Sequence, residues 1–205
     1  MDIGIIDYGM GNIGSIFNMI KKTGHSPKIV ADNKNIFDYS KLILPGVGNF
    51  AAGSQRLKDQ NFVKSIREFS KIKENKILGI CLGMQLLFDS SEEGIGNGLG
   101  LIEGSVIRFK GLEEKFKIPH MGWNFLEVNK INSKILRYID KEARFYFVHS
   151  YYVIPENKDH ILSFSSYGNI KFPCIVNKDN VFGTQFHPEK SHKYGFSLLR
   201  GFCEL

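Results

Sequence analysis

The sequence predicts an α/β fold with a mixed, mainly parallel central sheet and antiparallel additions. In the first half of the chain, short apolar runs alternate with segments of helical period, whereas in the second half strand-like stretches follow one another with few helical periods between them. The first pattern requires helical crossovers, which build a parallel sheet covered on both faces. With 205 residues, of which 42% are hydrophobic, the chain has the size of one compact domain over residues 1–205.

The first half predicts four strands, each followed by a helical segment. The strands are expected at IGII, PKIV, KLIL and KILGI. The helical segments that follow them are expected to be NIGSIFNMIKKTG, a short stretch after PKIV, a long segment that ends at about Ile72, and LGMQLLFD.

The second half predicts antiparallel ribbons and strands that extend the sheet. The strand-like stretches, in order, are SVIRF, NFLEV, RFYFVHSYYVI, HILSFSS, PCIVN and VFGTQF. A last helix is expected from roughly Tyr194 to Glu204, and the glycine-rich segment GIGNGLG is typical of a surface loop.

Charge and hydropathy indicate a cytoplasmic protein that binds neither nucleic acid nor membrane. The net charge is +6, but the lysines are interspersed with glutamates and asparagines, as in KIKENK, which is typical of a solvated surface. No apolar run approaches the roughly 20 residues that a membrane helix needs, and the first eight residues lack the basic segment of a leader peptide. A modest basic face still suits an acidic protein partner.

The opening segment MDIGIIDYGMGNIGS raises a dinucleotide-binding hypothesis. It contains G-x-G-x-x-G from Gly9 to Gly14, and Asp32 stands near the position where that fingerprint needs an acidic residue. Against the hypothesis, Asp7 and Tyr8 separate the apolar run from Gly9, whereas a dinucleotide-binding strand runs directly into its first glycine. This segment by itself therefore leaves the dinucleotide-binding hypothesis open.

The segment KILGICLGMQLLFD predicts a nucleophile elbow at Cys81. Gly79 and Gly83 lie two residues to either side of this cysteine, at the expected junction of a strand and a helix. A sharp strand-turn-helix forces its central residue into a strained conformation, and small neighbours avoid the resulting clash. The start of the following helix favours an anion and offers backbone N–H groups to it. Cys174 and Cys203 lack such surroundings, and we interpret them as buried structural cysteines.

A thiolate nucleophile needs a base, and the segment VFGTQFHPEKS supplies the best candidate. An apolar strand ends at His187, and Glu189 follows two residues later, so that both side chains project to the same side of an extended chain. The glutamate can therefore hold the imidazole in one tautomer, as the third member of a triad does. His149, flanked by aromatic residues on a predicted buried strand, is the rival base.

Metal chemistry is an alternative for the same segment. His187, Glu189 and His192 would need further ligands that the sequence does not identify. The zinc-deaminase pattern also begins with H-x-E, but no P-C-x-x-C follows it here. Three cysteines without C-x-x-C spacing argue against a cysteine-rich zinc site and a disulfide framework. We expect neither a metal nor a cofactor.

The motifs G-x-C-x-G-x-Q and H-P-E on one α/β chain resemble those of the class I glutamine amidotransferases, whose triad is Cys, His and Glu. The resemblance covers essentially the whole chain and is closest to the glutaminase subunits of imidazole glycerol phosphate synthase. The matching segments, in the order of that family, are IDYGMGNIGS, LILPGVGNF, GICLGMQLLF, SEEG, IPHMGWN, YFVHSYY and GTQFHPEKS. The resemblance implies a flavodoxin-like three-layer domain, in which the G-M-G-N loop lies near the active site and the partner interface and binds no nucleotide.

The resemblance also implies roles for particular residues. The nucleophile would be Cys81, the base His187 and the orienting residue Glu189. The remaining residues fall into three groups: the oxyanion hole at Gly46, Val47, Gly48 and Leu82, the glutamine-holding groups Gln85, Glu93, Ser150 and Tyr151, and the partner interface at Asn12, Trp123, Tyr146 and Lys190.

The implied function is hydrolysis of L-glutamine, with the ammonia channelled to a (β/α)8-barrel synthase subunit in a heterodimer that forms imidazole glycerol phosphate and AICAR in histidine biosynthesis. One departure leaves an alternative open: Gly14 stands where that family usually has arginine. This residue, the first helix and the tail SHKYGFSLL resemble paralogues that supply ammonia for sugar amidation in surface-polysaccharide pathways. Two further alternatives are a catalytically silent binding module of the same fold and a stand-alone cysteine hydrolase.

Overall fold

The computed structural model describes residues 2–130 and 132–205. In the first half, strands and helices alternate as the sequence predicts. The elements in order are β1 (Asp2–Ile6), α1 (Ile13–Lys22), β2 (Ser26–Val30), a 3₁₀ helix (Asn33–Asp38), β3 (Lys41–Leu44), α2 (Phe50–Asp59), α3 (Phe62–Ser70), β4 (Lys76–Ile80) and α4 (Leu82–Leu86).

The second half is mostly antiparallel and ends in a helix. Its strands and last helix are β5 (Ser90–Ser91), β6 (Gly104–Arg108), β7 (His120–Phe125), β8 (Glu127–Val128), β9 (Arg144–His149), β10 (Tyr151–Pro155), β11 (Ile161–Tyr167), β12 (Ile170–Lys178), β13 (Val181–Thr184) and α5 (His192–Cys203). Short 3₁₀ helices lie between some of these elements, including one at Pro188–Lys190.

The central sheet has eight strands in the order β2-β1-β3-β4-β13-β12-β11-β8. The first five are parallel to one another, and the last three continue the sheet in antiparallel fashion. Two small sheets, β10-β6-β5 and β7-β9, lie outside it. The predicted mixed α/β fold with a mainly parallel centre is therefore confirmed.

Alternating residues of the central strands belong to two apolar clusters, which lie on opposite faces of the sheet. One cluster contains Ile43 and Leu78 and packs them against α1 and α5. The other contains Leu42 and Leu44 and packs them against α2, α3 and α4. Because helices cover both faces, the centre of the molecule has three layers, and the strands between them are apolar on both sides.

Several element boundaries differ from the sequence-based expectation. The long helical segment before β4 is two helices, because Asn61 adopts a left-handed conformation (φ 58°) that interrupts the helix. The stretch RFYFVHSYYVI is not one strand: it leaves its partner β7 at His149 and joins β6 from Tyr151 onward. The last helix begins at His192 rather than at Tyr194.

The carboxyl ends of β1, β3, β4 and β13 are neighbours along one edge of the sheet. Four segments leave the sheet there: the G-M-G-N loop, the P-G-V-G turn, the cysteine elbow and the H-P-E segment. Open α/β sheets bind their ligands at this edge. In the described part of the chain, none of the helices combines the length and apolar character needed to cross a bilayer.

Candidate active site

Cys81 occupies the turn between β4 and α4 in a strained conformation, with φ 55° and ψ −108°. Its backbone N–H donates a 2.7 Å hydrogen bond to the carbonyl of Thr184 at the end of β13. The flanking glycines are sterically required: a Cβ on Gly79 would lie 2.6 Å from the carbonyl oxygen of Gly83, and a Cβ on Gly83 would lie 1.8 Å from that of Leu44. The backbone therefore forms the elbow that the G-x-C-x-G spacing predicts.

His187 and Glu189 form a buried pair just after β13. The imidazole Nδ1 lies 2.8 Å from Oε1 of Glu189, and each side chain is 1% exposed. The backbone of His187 is anchored by a 2.9 Å hydrogen bond from its N–H to the carbonyl of Tyr146 in β9. Ser191 closes the turn by donating a 2.6 Å bond to the His187 carbonyl.

The electrostatic surroundings of His187 favour its protonated form. Burial alone lowers the pKa of the imidazole, but the neighbouring Cys81 and the Glu189 carboxylate outweigh burial and raise that pKa to about 10. Because Nδ1 faces Glu189, the second ring nitrogen, Nε2, is the one that remains for chemistry. This atom is buried and makes no hydrogen bond within the described residues.

His149 has a different environment. Its Nδ1 lies 2.8 Å from the carbonyl of Tyr151, to which it must donate, and its Nε2 lies 3.0 Å from Nδ1 of His120. Burial lowers the pKa of His149 to about 3, and burial also lowers that of His120 to about 4. Both imidazoles are therefore neutral near pH 7, and both nitrogens of His149 are occupied.

A cleft of about 520 Å³ opens over these groups. It contains most of the residues that the sequence analysis assigned to catalysis and glutamine binding. Its lining includes Val47, Gly48, Cys81, Leu82, Gln85, Glu93, Ser150, Tyr151 and His187. A larger cavity of about 640 Å³ lies elsewhere, around Arg67 and Lys178, and contains neither the cysteine nor a histidine.

Gln85 reaches the floor of the cleft from α4. Its amide nitrogen donates to the carbonyl of Tyr151 at 3.0 Å and to Oε1 of Gln185 at 3.2 Å. Gln185 is fully buried, and its own amide nitrogen lies 3.8 Å from the Cys81 sulfur. Gln185 was not among the site residues predicted from the sequence, because its contact with Cys81 joins segments 104 residues apart.

Glu93 lies at the mouth of the cleft, where one carboxylate oxygen accepts a 2.9 Å bond from the N–H of Phe50 at the start of α2. Burial raises the pKa of this carboxyl group, and the Phe50 bond opposes that effect. Asn49 caps the same helix and donates to the Glu93 carbonyl. The carboxylate is thus held in place by the helix and borders the space where a ligand would lie.

The four residues expected at the partner interface fall into two places. Trp123, Tyr146 and Lys190 are contiguous: the indole and phenol rings are 6.1 Å apart, and the Lys190 ammonium lies 5.7 Å from the Tyr146 ring. The indole also stacks on His192. Asn12 is exposed at the start of α1, which it caps by accepting a bond from the Ser15 N–H.

The remaining cysteines are buried inside the fold. Burial raises the pKa of Cys174 to about 12 and that of Cys203 to about 11. Both thiols are therefore protonated near pH 7, which agrees with a structural role. Within residues 2–130 and 132–205, no three His, Cys, Asp or Glu side chains are grouped as a metal ion would require.

This combination of fold and side chains is typical of enzymes that use a cysteine nucleophile activated by histidine. The family model of the class-I glutamine amidotransferases matches residues 4–203, and the chain belongs to this family.

Among curated proteins, the chain is 50% identical over 202 residues to "Imidazole glycerol phosphate synthase subunit HisH 2" of Methanococcus maripaludis, covering 98% of both chains. It is 47% identical to the protein of the same name from Pseudomonas aeruginosa, again over 98% of both chains. It is 41% identical to "Imidazole glycerol phosphate synthase subunit HisH" of Leptospira interrogans, over 99% of this chain and 100% of that one.

Solved structures show the same fold at lower sequence identity. A structure titled PurLQS from Thermotoga maritima superposes with a TM-score of 0.76 at 18% identity and covers 99% of this chain and 97% of that chain. A putative GMP synthase subunit from Thermoplasma acidophilum gives a TM-score of 0.71 at 21% identity, over 100% and 92% of the two chains.

Proposed function

We propose that this chain is the glutaminase subunit of an imidazole glycerol phosphate synthase and hydrolyses L-glutamine to glutamate and ammonia. The observation that carries the proposal is that Cys81 and His187 line one cleft at the carboxyl edge of the sheet, with the Glu189 carboxylate 2.8 Å from Nδ1 of that histidine. The relatives named above support the assignment to histidine biosynthesis. Residues 1–205 would act as one amidotransferase domain in the cytoplasm.

The proposed reaction begins when the Cys81 thiol gives its proton to His187 and its sulfur attacks the side-chain amide carbon of glutamine. The resulting tetrahedral anion is held by backbone N–H groups of the turn 46–48 and of Leu82. Protonated His187 gives its proton to the departing ammonia, and a thioester remains on the cysteine. Water, deprotonated by the same imidazole, then hydrolyses the thioester to glutamate. Glu189 keeps Nδ1 of the imidazole protonated and oriented throughout.

Two observations favour His187 over His149 as the base. Nε2 of His187 makes no hydrogen bond within the described residues, whereas both nitrogens of His149 are engaged. The pKa of His187 is raised and that of His149 is lowered, so only the first can carry a proton near neutral pH. His149 instead supports the backbone at Tyr151, a segment proposed to hold the glutamine substrate.

The substrate would lie between α4 and the segment after β9. Glu93 offers a carboxylate to the α-ammonium group, and the backbone of Ser150 and Tyr151 offers hydrogen bonds to the glutamine. The amide nitrogen of Gln85 already donates to the Tyr151 carbonyl. Through this bond, Gln85 would hold the start of β10 in place beside the glutamine. No cofactor or metal takes part in the proposed reaction.

A partner subunit follows from the same proposal, because the relatives are named as subunits of a synthase. We propose a (β/α)8-barrel partner that forms a heterodimer with this chain and receives the ammonia. The contiguous surface of Trp123, Tyr146 and Lys190 would contact it, together with Asn12. Lys190 also borders the catalytic cleft, so this surface and the cleft adjoin.

The test is co-purification of the chain from its native source, followed by identification of the associated protein and assays of ammonia release. A barrel synthase that consumes the ammonia supports the histidine pathway, whereas a sugar-modifying partner supports the paralogous alternative that Gly14 left open. Glutamine hydrolysis should disappear in Cys81→Ala with the fold intact. If a glutamine-mimicking electrophile leaves Cys81 unmodified, the chain is a silent binding module; if ammonia release needs no partner, it is a stand-alone hydrolase.

A further inference from the structure

Tyr8 is the second residue after β1, in the loop that precedes α1. Its side chain is fully buried, and its hydroxyl donates a 2.8 Å hydrogen bond to the carbonyl of Pro45. Pro45 opens the P-G-V-G turn, which carries the proposed oxyanion donors. One buried side chain from the first loop thus holds the start of the catalytic turn.

The contact extends beyond this hydrogen bond. A Cβ on Gly46 would lie 2.7 Å from the Tyr8 hydroxyl, so the oxygen packs against the residue that follows Pro45 as well. A Cβ on Gly11 would lie 2.8 Å from Cβ of Pro45, and one on Gly48 would lie 3.1 Å from the end of the Met10 side chain. The first loop therefore backs the turn from Pro45 to Gly48.

The first loop is itself fixed from the other side. Arg56 of α2 donates a 3.1 Å hydrogen bond to the carbonyl of Gly9, the residue after Tyr8. Burial raises the pKa of the Tyr8 phenol far above its ordinary value, with Cys81 adding to the effect and Arg56 opposing it. The hydroxyl consequently keeps its proton, and remains a donor, at any pH at which the enzyme works.

We infer that Tyr8 is a positioning residue for the oxyanion hole. By holding the Pro45 carbonyl, its hydroxyl fixes the plane of the Pro45–Gly46 peptide, and rotation is confined to the peptide units that follow Gly46. Glycines at 46 and 48 permit such rotation, and Gly48 already has φ 104°. Without the hydroxyl, the donors would be distributed over several orientations, and the tetrahedral anion would be held less well. This inference rests on the proposed function.

The test is Tyr8→Phe, which removes only the hydroxyl and keeps the buried ring. In the complex with its synthase partner, kcat for glutamine hydrolysis should fall roughly fivefold to tenfold, the loss typical of one neutral hydrogen bond, while KM stays within about twofold. Glutamate γ-semialdehyde adds the Cys81 sulfur to its carbonyl carbon, and the former carbonyl oxygen then occupies the oxyanion hole. Its inhibition constant should rise by the same factor as kcat falls.

Alkylation of Cys81 by iodoacetamide develops no oxyanion, and its rate should be unchanged in Tyr8→Phe. A structural defect at the elbow would instead change alkylation as well. Tyr138→Phe is the matched control, because Tyr138 also donates a hydrogen bond through its hydroxyl, to Glu204 at the C-terminal end of α5, and neither residue lines the cleft.

Three results would overturn the inference: unchanged kcat, a rise confined to KM, or parallel losses in hydrolysis, aldehyde binding and alkylation. If wild-type protein in its complex neither hydrolyses glutamine nor binds the aldehyde, the proposed function fails first and the inference fails with it. If the wild-type complex is active and Tyr8→Phe has the same kcat, the inference about Tyr8 is wrong and the proposed function stands.

Discussion

Gly83 lies directly against the carbonyl oxygen of Leu44: a Cβ at position 83 would be 1.8 Å from that oxygen. This contact joins the first turn of α4 to the end of β3, and both segments are backbone that cannot rotate away as a side chain can. The elbow at Cys81 therefore depends on a close approach between two main chains.

The first prediction is that Gly83→Ala destabilises the protein severely. The methyl group must separate α4 from β3, and we expect the free energy of unfolding to fall by about 3 kcal/mol or more, with loss of glutamine hydrolysis. Urea unfolding followed by circular dichroism measures the change. Gly14→Ala is the matched control: a Cβ there meets nothing within 4 Å, and in helix α1 alanine should be neutral or stabilise by up to about 1 kcal/mol. Equal stability of the two variants would contradict the steric argument.

The fold could be predicted largely from the alternation of apolar runs and helical segments, because that pattern reports burial on both faces of a parallel sheet. The errors arose where a local conformation overrides periodicity. The helical pattern passes through residue 61 without a break, yet Asn61 takes a left-handed conformation there. The run of strand-forming residues around Ser150 is continuous, yet the strand that pairs with it changes there. Strand pairing depends on tertiary contacts, which residue composition does not determine.

The candidate site was partly predictable for a similar reason. Cys81, His187 and Glu189 stand in short motifs whose spacing determines their relative positions. In the structure, Cys81 and His187 line one cleft, and Glu189 lies against the imidazole of His187. Tyr8 and Gln185 were not found, because their contacts with Pro45 and Cys81 join segments 37 and 104 residues apart. Long-range contacts of this kind leave no local spacing in the sequence.

The second prediction concerns the charge on Glu189. Although burial opposes it, Cys81 and this carboxylate raise the pKa of His187 to about 10. Glu189→Gln keeps a hydrogen-bond acceptor near Nδ1 but removes the charge, so the pKa of His187 falls. The alkaline limb of the profile of kcat/KM against pH should move to lower pH, and kcat at pH 7.5 should fall on the order of 100-fold.

The same substitution should change stability with a definite sign. Because the folded-state pKa of His187 is raised above its unfolded value, the pair stabilises the protein fully below about pH 6.5, and this contribution is lost as the pH rises through the folded-state pKa. Glu189→Gln should therefore be less stable than wild type at pH 6, with a smaller difference at pH 10. Glu68→Gln, on the exposed face of α3, is the control and should alter neither profile. An unmoved alkaline limb in Glu189→Gln would assign that limb to another group.

The third prediction concerns the two buried neutral histidines. The pKa of His120 and of His149 is lowered by burial to about 4 and about 3, whereas an unfolded chain protonates histidine near pH 6.5. Between these values the unfolded state binds more protons, so the free energy of unfolding should fall by up to about 1.4 kcal/mol per pH unit and per histidine as the pH decreases.

His120→Phe should make that acid dependence shallower. Phenylalanine can keep the stacking of this ring on Tyr167, at 4.2 Å, and on Phe147, at 5.0 Å, while it removes one titrating group. At pH 7 we expect a loss of about 1 kcal/mol for the missing bond to His149. Tyr167→Phe is the control, because it changes the ring that stacks on His120 without removing a histidine, and it should leave the slope unchanged. A slope in His120→Phe as steep as in wild type would show that His120 does not titrate between the two states in this way.

The last prediction concerns the surface around Trp123. The neighbouring Tyr146, in β9, accepts the backbone hydrogen bond that anchors His187. A partner that contacts Trp123 and Tyr146 would therefore act on the strand that holds the base. Ammonia that escapes into neutral water is protonated and no longer nucleophilic, and hydrolysis without a docked acceptor enzyme is wasteful. We therefore expect the isolated chain to be a poor glutaminase, and partner with acceptor ligand to raise kcat much more than it lowers KM.

Trp123→Ala should weaken partner binding at least roughly tenfold, as expected for a large aromatic side chain at the centre of an interface. Phe37→Ala is a matched control, because Phe37 is 47% exposed and Trp123 is 46% exposed. Phe37 packs against Phe69 near the end of α3, at the sheet edge away from the cleft, and its loss should leave binding unchanged. Titration calorimetry gives both affinities, and iodoacetamide alkylation of Cys81 checks that the isolated chain is intact. If both variants bind the partner like wild type while the complex still activates hydrolysis, the partner docks elsewhere and Tyr146 of β9 does not link Trp123 to the base.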